Sequence, residues 1–278
     1  MKAVTRQINE NLSCSYTAGE ISALTRIIAT ELLGVSQMVY FLKDDVTLTA
    51  EQEALLDNAI ERLTKQEPIQ YILGYSDFCD LRFKVTPATL IPRPETSELV
   101  EWVASEATGN EHILDIGTGS GCIAISLANK MPQGNVTAWD ISNAALAVAT
   151  ENSKANNCLV TFEQVDILAY QPTDAQFDTI VSNPPYIKEV EKEQMYSNVL
   201  DWEPHTALFV PDNDPLLFYR TIAIKSLSLL RPGGKLYFEI NRAHGQETVE
   251  MLKSLGYTGI ELRKDFADND RMIRAIRP

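Results

Sequence analysis

The chain has 278 residues, of which 45% are hydrophobic and 22% charged, and carries a net charge of −14. Such a length supports one large or two modest domains with an ample core, and the composition is that of an ordinary soluble globular protein. The acidic balance, with no cluster of Lys and Arg, argues against nucleic acid as the main partner, because a duplex-binding surface must displace counterions.

No apolar run reaches about eighteen residues, so no membrane-spanning helix is expected. The opening Met1-Lys2-Ala3-Val4-Thr5-Arg6-Gln7 is too polar for a secretory leader. Cys14, Cys79, Cys122 and Cys158 are far apart and form no C-x-x-C, which points to reduced thiols in a cytoplasmic protein.

Residues 1–72 read as helical. Val4, Ile8 and Leu12 form one apolar stripe, and Ile21, Leu24, Ile27, Ile28 and Leu32 form another, with Gly34 as a C-terminal stop. Thr17-Ala18-Gly19-Glu20 and Thr49-Ala50-Glu51-Gln52 are capping boxes, the second followed by Leu55, Leu56, Ala59, Ile60 and Leu63. No residue here has catalytic character, so a small bundle that docks a partner is expected. Residues 73–94 are punctuated by Gly74, Pro87, Pro92 and Pro94, and Phe78, Leu81, Phe83 and Val85 suit a β-hairpin linker. Pro94 fits the first turn of a helix carrying Leu99, Val100 and Val103. Arg93 and Glu95 read as surface charges.

From residue 95 to 278 strand and helix alternate. Strands are expected at Ile113–Ile116, Val136–Trp139, Val160–Val165, Phe177–Ser182 and Lys235–Ile240, with closing strands at Tyr257–Arg263 and Met272–Ile276. Helices are expected at Cys122–Met131, Ser142–Asn152, Leu216–Leu230 and Gln246–Leu255, with a break at Arg231-Pro232-Gly233-Gly234. Repeated β-α units imply an α/β fold, a mostly parallel sheet of seven strands covered on both faces. Lys188 to Asp214 reads as a long charged loop of the kind used as a lid.

Two stretches carry chemistry. The first is Gly117-Thr118-Gly119-Ser120-Gly121, between a strand and a helix, where backbone amides can approach an anionic group. Asp140 ends the next strand, where a carboxylate can accept both hydroxyls of a ribose. Asp166, followed by Ile167, ends the third strand and can accept from a base amino group. Helix capping or turn formation is the plainer use of either aspartate. A nucleoside-containing cofactor is expected. The spacing departs from the dinucleotide fingerprint, whose sixth position is Cys122 here, which disfavours a nicotinamide enzyme.

The second stretch is Asn183-Pro184-Pro185-Tyr186, at the carboxyl end of a strand. The prolines stop the strand and stiffen the turn. Asn183 offers a side-chain acceptor, the main-chain oxygens of Asn183 and Pro184 have no proline N–H to pair with, and Tyr186 offers a flat face. Together these can hold an –NH2 group on a conjugated system. No Ser or Cys triad, Walker A sequence or metal-ligand spacing accompanies them, and His112, His205 and His244 are scattered.

The tighter G-x-G-x-G after Asp115 resembles the S-adenosylmethionine methyltransferase signature. With Ser182-Asn183-Pro184-Pro185-Tyr186-Ile187, the chain resembles the HemK/PrmC family, which methylates the glutamine of the Gly-Gly-Gln loop in peptide chain release factors. Pro68-Ile69-Gln70-Tyr71-Ile72-Leu73-Gly74, Leu90-Ile91-Pro92-Arg93-Pro94-Glu95-Thr96, Glu203-Pro204 and Asp270-Arg271 also look like that family. The resemblance covers nearly the whole chain. It implies a Rossmann-like class I methyltransferase domain at 95–278 and a docking bundle at 1–72. It also implies S-adenosylmethionine as cofactor, class 1 release factors as partners and a cytoplasmic monomer with no metal. By the same resemblance, Gly117, Thr118, Gly119, Ser120, Gly121, Asp140, Asp166, Ile167 and Asn183 hold the cofactor. Asn183, Pro184, Pro185 and Tyr186 hold the substrate amide, with Asn183, Pro184 and Tyr186 acting on it. An amino-group methyltransferase acting on adenine N6 or guanine N2 shares the same tetrapeptide. Three places depart from the family pattern: Phe78-Cys79-Asp80 stands for Phe-x-Gly, Glu239-Ile240-Asn241 stands for Glu-Ile-Gly, and a glycine is replaced around Pro211-Asp212-Asn213-Asp214. No role for Arg93, Glu95 or Glu239 follows from the sequence.

Overall fold

A computed structural model describes residues 1–42, 44 and 46–278. They divide into two compact units, one of residues 1–74 with 196–202, the other of residues 75–195 with 203–278.

The first unit contains α1 (Lys2–Leu12), α2 (Ala18–Ile27), α3 (Gln37–Leu42), α4 (Ala50–Thr64) and α5 (Ile69–Leu73). Both capping boxes form as the sequence implies. Val4, Ile8 and Leu12 pack with Ile21, Leu24, Ile28, Leu56, Ile60 and Leu63. Two expectations shift. Residues Ile28–Leu32 form a π turn, whose extra residue rotates the stripe so that Leu33, not Leu32, is buried. Leu55 lies on the exposed side of α4. The helices α3 and α5 had no periodic signal, being six and five residues long.

The second unit begins with the hairpin β1 (Tyr75–Phe78) and β2 (Leu81–Lys84). Its two-residue turn places Cys79 and Asp80 at φ 47° and 61°, the twist that suits a tight hairpin. There follow α6 (Pro94–Glu106), β3 (His112–Ile116), α7 (Cys122–Lys130), β4 (Asn135–Asp140), α8 (Asn143–Ala155), β5 (Val160–Gln164) and β6 (Phe177–Ser182). Then come β7 (Ile187–Lys188), α9 (Ser197–Leu200, counted with the first unit), α10 (His205–Leu208) and β8 (Phe209–Val210). The chain closes with α11 (Leu217–Leu229), β9 (Leu230–Glu239), α12 (Gly245–Ser254), β10 (Thr258–Lys264) and β11 (Asp270–Ile276).

Seven strands form one sheet in the order β10-β11-β9-β6-β3-β4-β5, parallel from β9 to β5, with β11 antiparallel to both of its neighbours. Alternate residues feed two cores. Ile113, Val181 and Tyr237 join α6, α7 and the hairpin's Phe78 and Phe83 on one face. Leu114, Ile180 and Phe238 join α11 and α12 on the other. The chain leaves β3 toward β4 and β5, then returns to β6 on the opposite side. The carboxyl ends of β3 and β6 therefore flank the point where strand order reverses, the crevice in which such sheets bind ligands.

Residues 188–214 are not the open loop expected. Glu189–Gln194 form a 3₁₀ turn, and β7 pairs with β8 through Ile187–Phe209 and Lys188–Val210. Leu208, Phe209 and Val210 are buried. The Asp212 carboxylate accepts from the Val190 amide at 2.9 Å, and Asp214 takes Arg220 in two hydrogen bonds of 2.8 Å.

Candidate active site

The glycine turn leaves β3 at Ile116 and enters α7 at Cys122. Gly117, Gly119 and Gly121 have φ of +77°, +56° and +82°, the left-handed region that only glycine enters freely. Their reasons differ. A Cβ at Gly117 or Gly119 would meet nothing within 4 Å, whereas one at Gly121 would lie 2.8 Å from Ile125 Cδ1 and 3.1 Å from Ala149 Cβ. The first two open the backbone toward the crevice, and the third lets α7 and α8 approach. Asn152, 1% exposed, ties the turn down. Its Nδ2 donates to the carbonyls of Ser120 (2.8 Å) and Lys84 (3.0 Å), and its Oδ1 accepts from the Lys84 amide (2.7 Å). Asp115, fully buried beneath the turn, accepts from Thr118 Oγ1 at 2.7 Å. Burial pushes its carboxyl up to about 7, against the pull of that hydroxyl.

Asp140 stands at the end of β4. Its Oδ2 accepts from the Gly119 amide and its Oδ1 from the Ser142 amide, each at 2.8 Å. The plainer turn-forming role is therefore present, and each oxygen keeps a further lone pair for a ligand. Burial raises its pKa above the ordinary carboxyl value. Asp166 lies two residues beyond β5, and its Oδ1 accepts from the Leu168 amide at 2.8 Å.

A cavity of about 400 Å³ joins these parts, with Gly117, Asp140, Ile141, Asp166, Ile167 and Asn183 among its walls. Of the predicted residues, Thr118, Gly119, Ser120, Pro184 and Pro185 also line it, while Gly121 and Tyr186 do not. The set fits a nucleoside with a charged tail: carboxylates at two successive strand ends, an apolar wall of Ile141, Ile167 and Leu168, and an open glycine backbone.

Opposite the glycine turn, Asn183 to Tyr186 follow β6. Ser182 Oγ donates to the Ile116 carbonyl at 2.6 Å, holding the two strand ends together. Asn183 Nδ2 lies 3.4 Å from Thr96 Oγ1, Thr96 Oγ1 donates to Glu239 Oε2 at 2.6 Å, and the Tyr186 hydroxyl donates to Glu239 Oε1 at 3.2 Å. Burial raises the Glu239 pKa, against its two hydroxyl donors and the nearby Arg271. The Tyr186 ring lines a smaller cavity of about 300 Å³ with Asn241, Arg242 and Arg271. Asn241, one of the departures from the family pattern, is useful here, since its Nδ2 donates to the Tyr186 carbonyl at 3.1 Å.

Sequence reading did not find Thr96, Glu203 or Glu239 as site residues. Arg93, read as a surface charge, instead pairs with Glu203 at 2.6 Å, and the same carboxylate, 1% exposed, accepts from the Ile91 amide at 3.2 Å. This joins Ile91-Pro92-Arg93 to Glu203-Pro204 across 110 residues. The only available signal was that both stretches resemble the same family.

The fold and its switch-point cavity are those of a Rossmann-like class I methyltransferase. A methyltransferase from Pyrococcus furiosus has this fold at a TM-score of 0.54 and 18% identity, over 82% of this chain and 99% of its own. TYW2 of M. jannaschii, in complex with AdoMet, shares it at 0.51 and 16%, over 73% and 84%. Residues 95–201 match the methyltransferase small domain and residues 6–74 the PrmC N-terminal domain. A release factor glutamine methyltransferase of Bacteroides thetaiotaomicron is 48% identical over the full length of both chains. One of Flavobacterium psychrophilum is 44% identical over 99% of this chain and 98% of its own. The chain belongs to the release factor glutamine methyltransferase family.

Proposed function

We propose that the protein transfers the methyl group of S-adenosylmethionine to N5 of the glutamine in the Gly-Gly-Gln motif of class 1 release factors, as a cytoplasmic monomer. The observation that carries this reading is the meeting of Asn183-Pro184-Pro185 and the glycine turn in one cavity, in a chain of this family. Bound there, S-adenosylmethionine supplies an electrophilic methyl group.

Gly117 to Ser120 would present backbone to the cofactor, with Gly121 closing the turn onto α8, Asp140 would take its ribose hydroxyls, and Asp166 with Ile167 would take its base. Asn183 Oδ1 and the Pro184 carbonyl accept the two hydrogens of the substrate amide. That nitrogen is a poor nucleophile, because its lone pair is delocalised into the carbonyl. Two fixed acceptors orient it and stabilise the positive charge that grows on it. A strong general base is not required before transfer, since the methylated nitrogen is acidic and sheds its proton afterwards. Tyr186, which lines the neighbouring smaller cavity and is anchored to Glu239 through its hydroxyl, stiffens the turn that presents these acceptors. The N-terminal helices grip the body of the partner.

The test incubates the protein with a class 1 release factor and methyl-labelled cofactor, then maps the labelled peptide by mass spectrometry. The expected result is one methyl group on the Gly-Gly-Gln glutamine. Label on RNA or DNA offered in parallel, with none on the release factor, would overturn the reading.

A further inference from the structure

We infer that Glu239, acting through Thr96, fixes the polarity of the Asn183 turn, so that the site takes N–H donors and rejects carboxylates. The inference rests on the amide-methylation reading above and concerns how the same site tells glutamine from glutamate.

Three facts of geometry carry it. Thr96 and Glu239 are 2% and 1% exposed, so water does not supply their partners. A threonine hydroxyl has a single proton, and that of Thr96 is spent on Glu239 Oε2 at 2.6 Å. Toward Asn183, 3.4 Å away, Thr96 therefore offers only lone pairs. Were the Asn183 amide turned by half a rotation, its Oδ1 would face Thr96 Oγ1, acceptor against acceptor in a buried place, which is unfavourable. The nitrogen is therefore held inward, and Oδ1 is left for the cavity that Asn183 lines.

The second oxygen of Glu239 accepts from the Tyr186 hydroxyl at 3.2 Å. One carboxylate, an acceptor at both oxygens, thus orders the first and last residues of the tetrapeptide. A glutamine side chain brings two N–H donors to this surface. A glutamate brings only lone pairs and a negative charge, and meets an acceptor. Glu239 and Thr96 are positioning residues in this scheme, because neither needs to touch the reacting atoms.

The experiment uses the full-length protein and two short peptides, one with Gly-Gly-Gln and one with Gly-Gly-Glu. For wild type, Thr96→Val and Thr96→Ser, it measures kcat and KM on the glutamine peptide and the inhibition constant of the glutamate peptide. Thr96→Val keeps the shape and frees the Asn183 amide to turn. The gap between the two peptides should narrow by about tenfold or more, roughly the worth of one hydrogen bond to a charged group. The glutamate peptide should bind more tightly while kcat on the glutamine peptide falls. Thr96→Ser, which restores the hydroxyl, should restore the gap. Glu239→Gln, which can accept from only one of the two hydroxyls, should shift the ratio in the same direction and serves if Thr96→Val does not fold. Equal weakening toward both peptides, or an unchanged ratio, would overturn the polarity inference. Absence of wild-type methyl transfer would instead overturn the reading on which it rests.

Discussion

The strands β3 and β6 lie side by side, with Ile116 opposite Ser182, yet the turns that follow them are built in different ways. The glycine turn is made by backbone. Its positive φ values, its open face and its tight approach to α8 all come from consecutive residues. The asparagine turn has a stiff backbone too, but its chemistry is set from afar. Thr96 stands 87 residues before Asn183, and Glu239 stands 53 residues after Tyr186. One half of the cavity therefore depends on having no side chain at chosen positions. The other depends on the direction in which side-chain protons point.

Substitutions should separate the two halves, and the largest effect is expected at Asn183. Asn183→Ala should slow transfer by about 10²–10³-fold at saturating cofactor, the usual consequence of deleting one preorganised polar group, as read from single-turnover rates. Next is Gly121→Val, which forces a side chain against Ile125 and Ala149 at a left-handed φ. It should lower stability by about 1–3 kcal/mol, measured by urea unfolding, and weaken cofactor binding with it.

A pH effect of a few degrees should follow from Asp115. Its folded pKa is raised to about 7, so the folded state holds a proton that the unfolded chain gives up near pH 4. The stabilisation is complete below that lower value and is lost as pH rises through about 7. The melting temperature should therefore fall between pH 5 and pH 8, and Asp115→Asn, which cannot ionise, should flatten that slope. The smallest effect is expected at the hairpin. Asp80→Gly removes a non-glycine residue from φ 61° and should raise stability by about 0.5–1 kcal/mol, seen as a later urea midpoint with activity unchanged.

Much of the scaffold was legible because it is local. Thr17 and Thr49 with their partners three residues on form the capping boxes that their sequence spells out, and the five parallel strands announce themselves as runs of apolar, β-branched or aromatic residues. What the sequence hid was geometry imposed by neighbours. The helix α11 ends before Arg231-Pro232-Gly233-Gly234 as expected, but the strand expected from Lys235 starts at once, β9 running from Leu230 to Glu239. It bulges against β6, where the register shifts between Phe177 and Thr179. A Cβ at Gly234 would lie 2.8 Å from the Arg231 carbonyl of the same strand and 3.0 Å from that of Asp178 on β6, so this glycine lets the chain fold tightly at the bulge and approach β6. The π turn after Ile27 likewise has no signature in the apolar spacing. Around the cavity, Gly117 to Ser120, Asp140 and Asn183 could be picked out because motif and strand end coincide. Thr96, Glu203 and Glu239 could not, because Thr96 and Glu203 sit among other polar residues and Glu239 in an apolar strand, and each shows its purpose only when its partner, 110 or 143 residues away, is brought beside it.

The most direct measurement compares Asp140→Ala with Asn183→Ala, each assayed for cofactor affinity by calorimetry and for methyl transfer to a release factor at saturating cofactor. The two halves should fail in opposite ways. Asp140→Ala should lose about tenfold or more in affinity, through its lost hydrogen bonds, and recover most of its transfer once saturated. Asn183→Ala, although Asn183 also borders the cofactor's cavity, should lose less affinity than Asp140→Ala and transfer almost nothing. Parallel loss of affinity and transfer in both variants would contradict the division of the cavity into a cofactor half and an amide half.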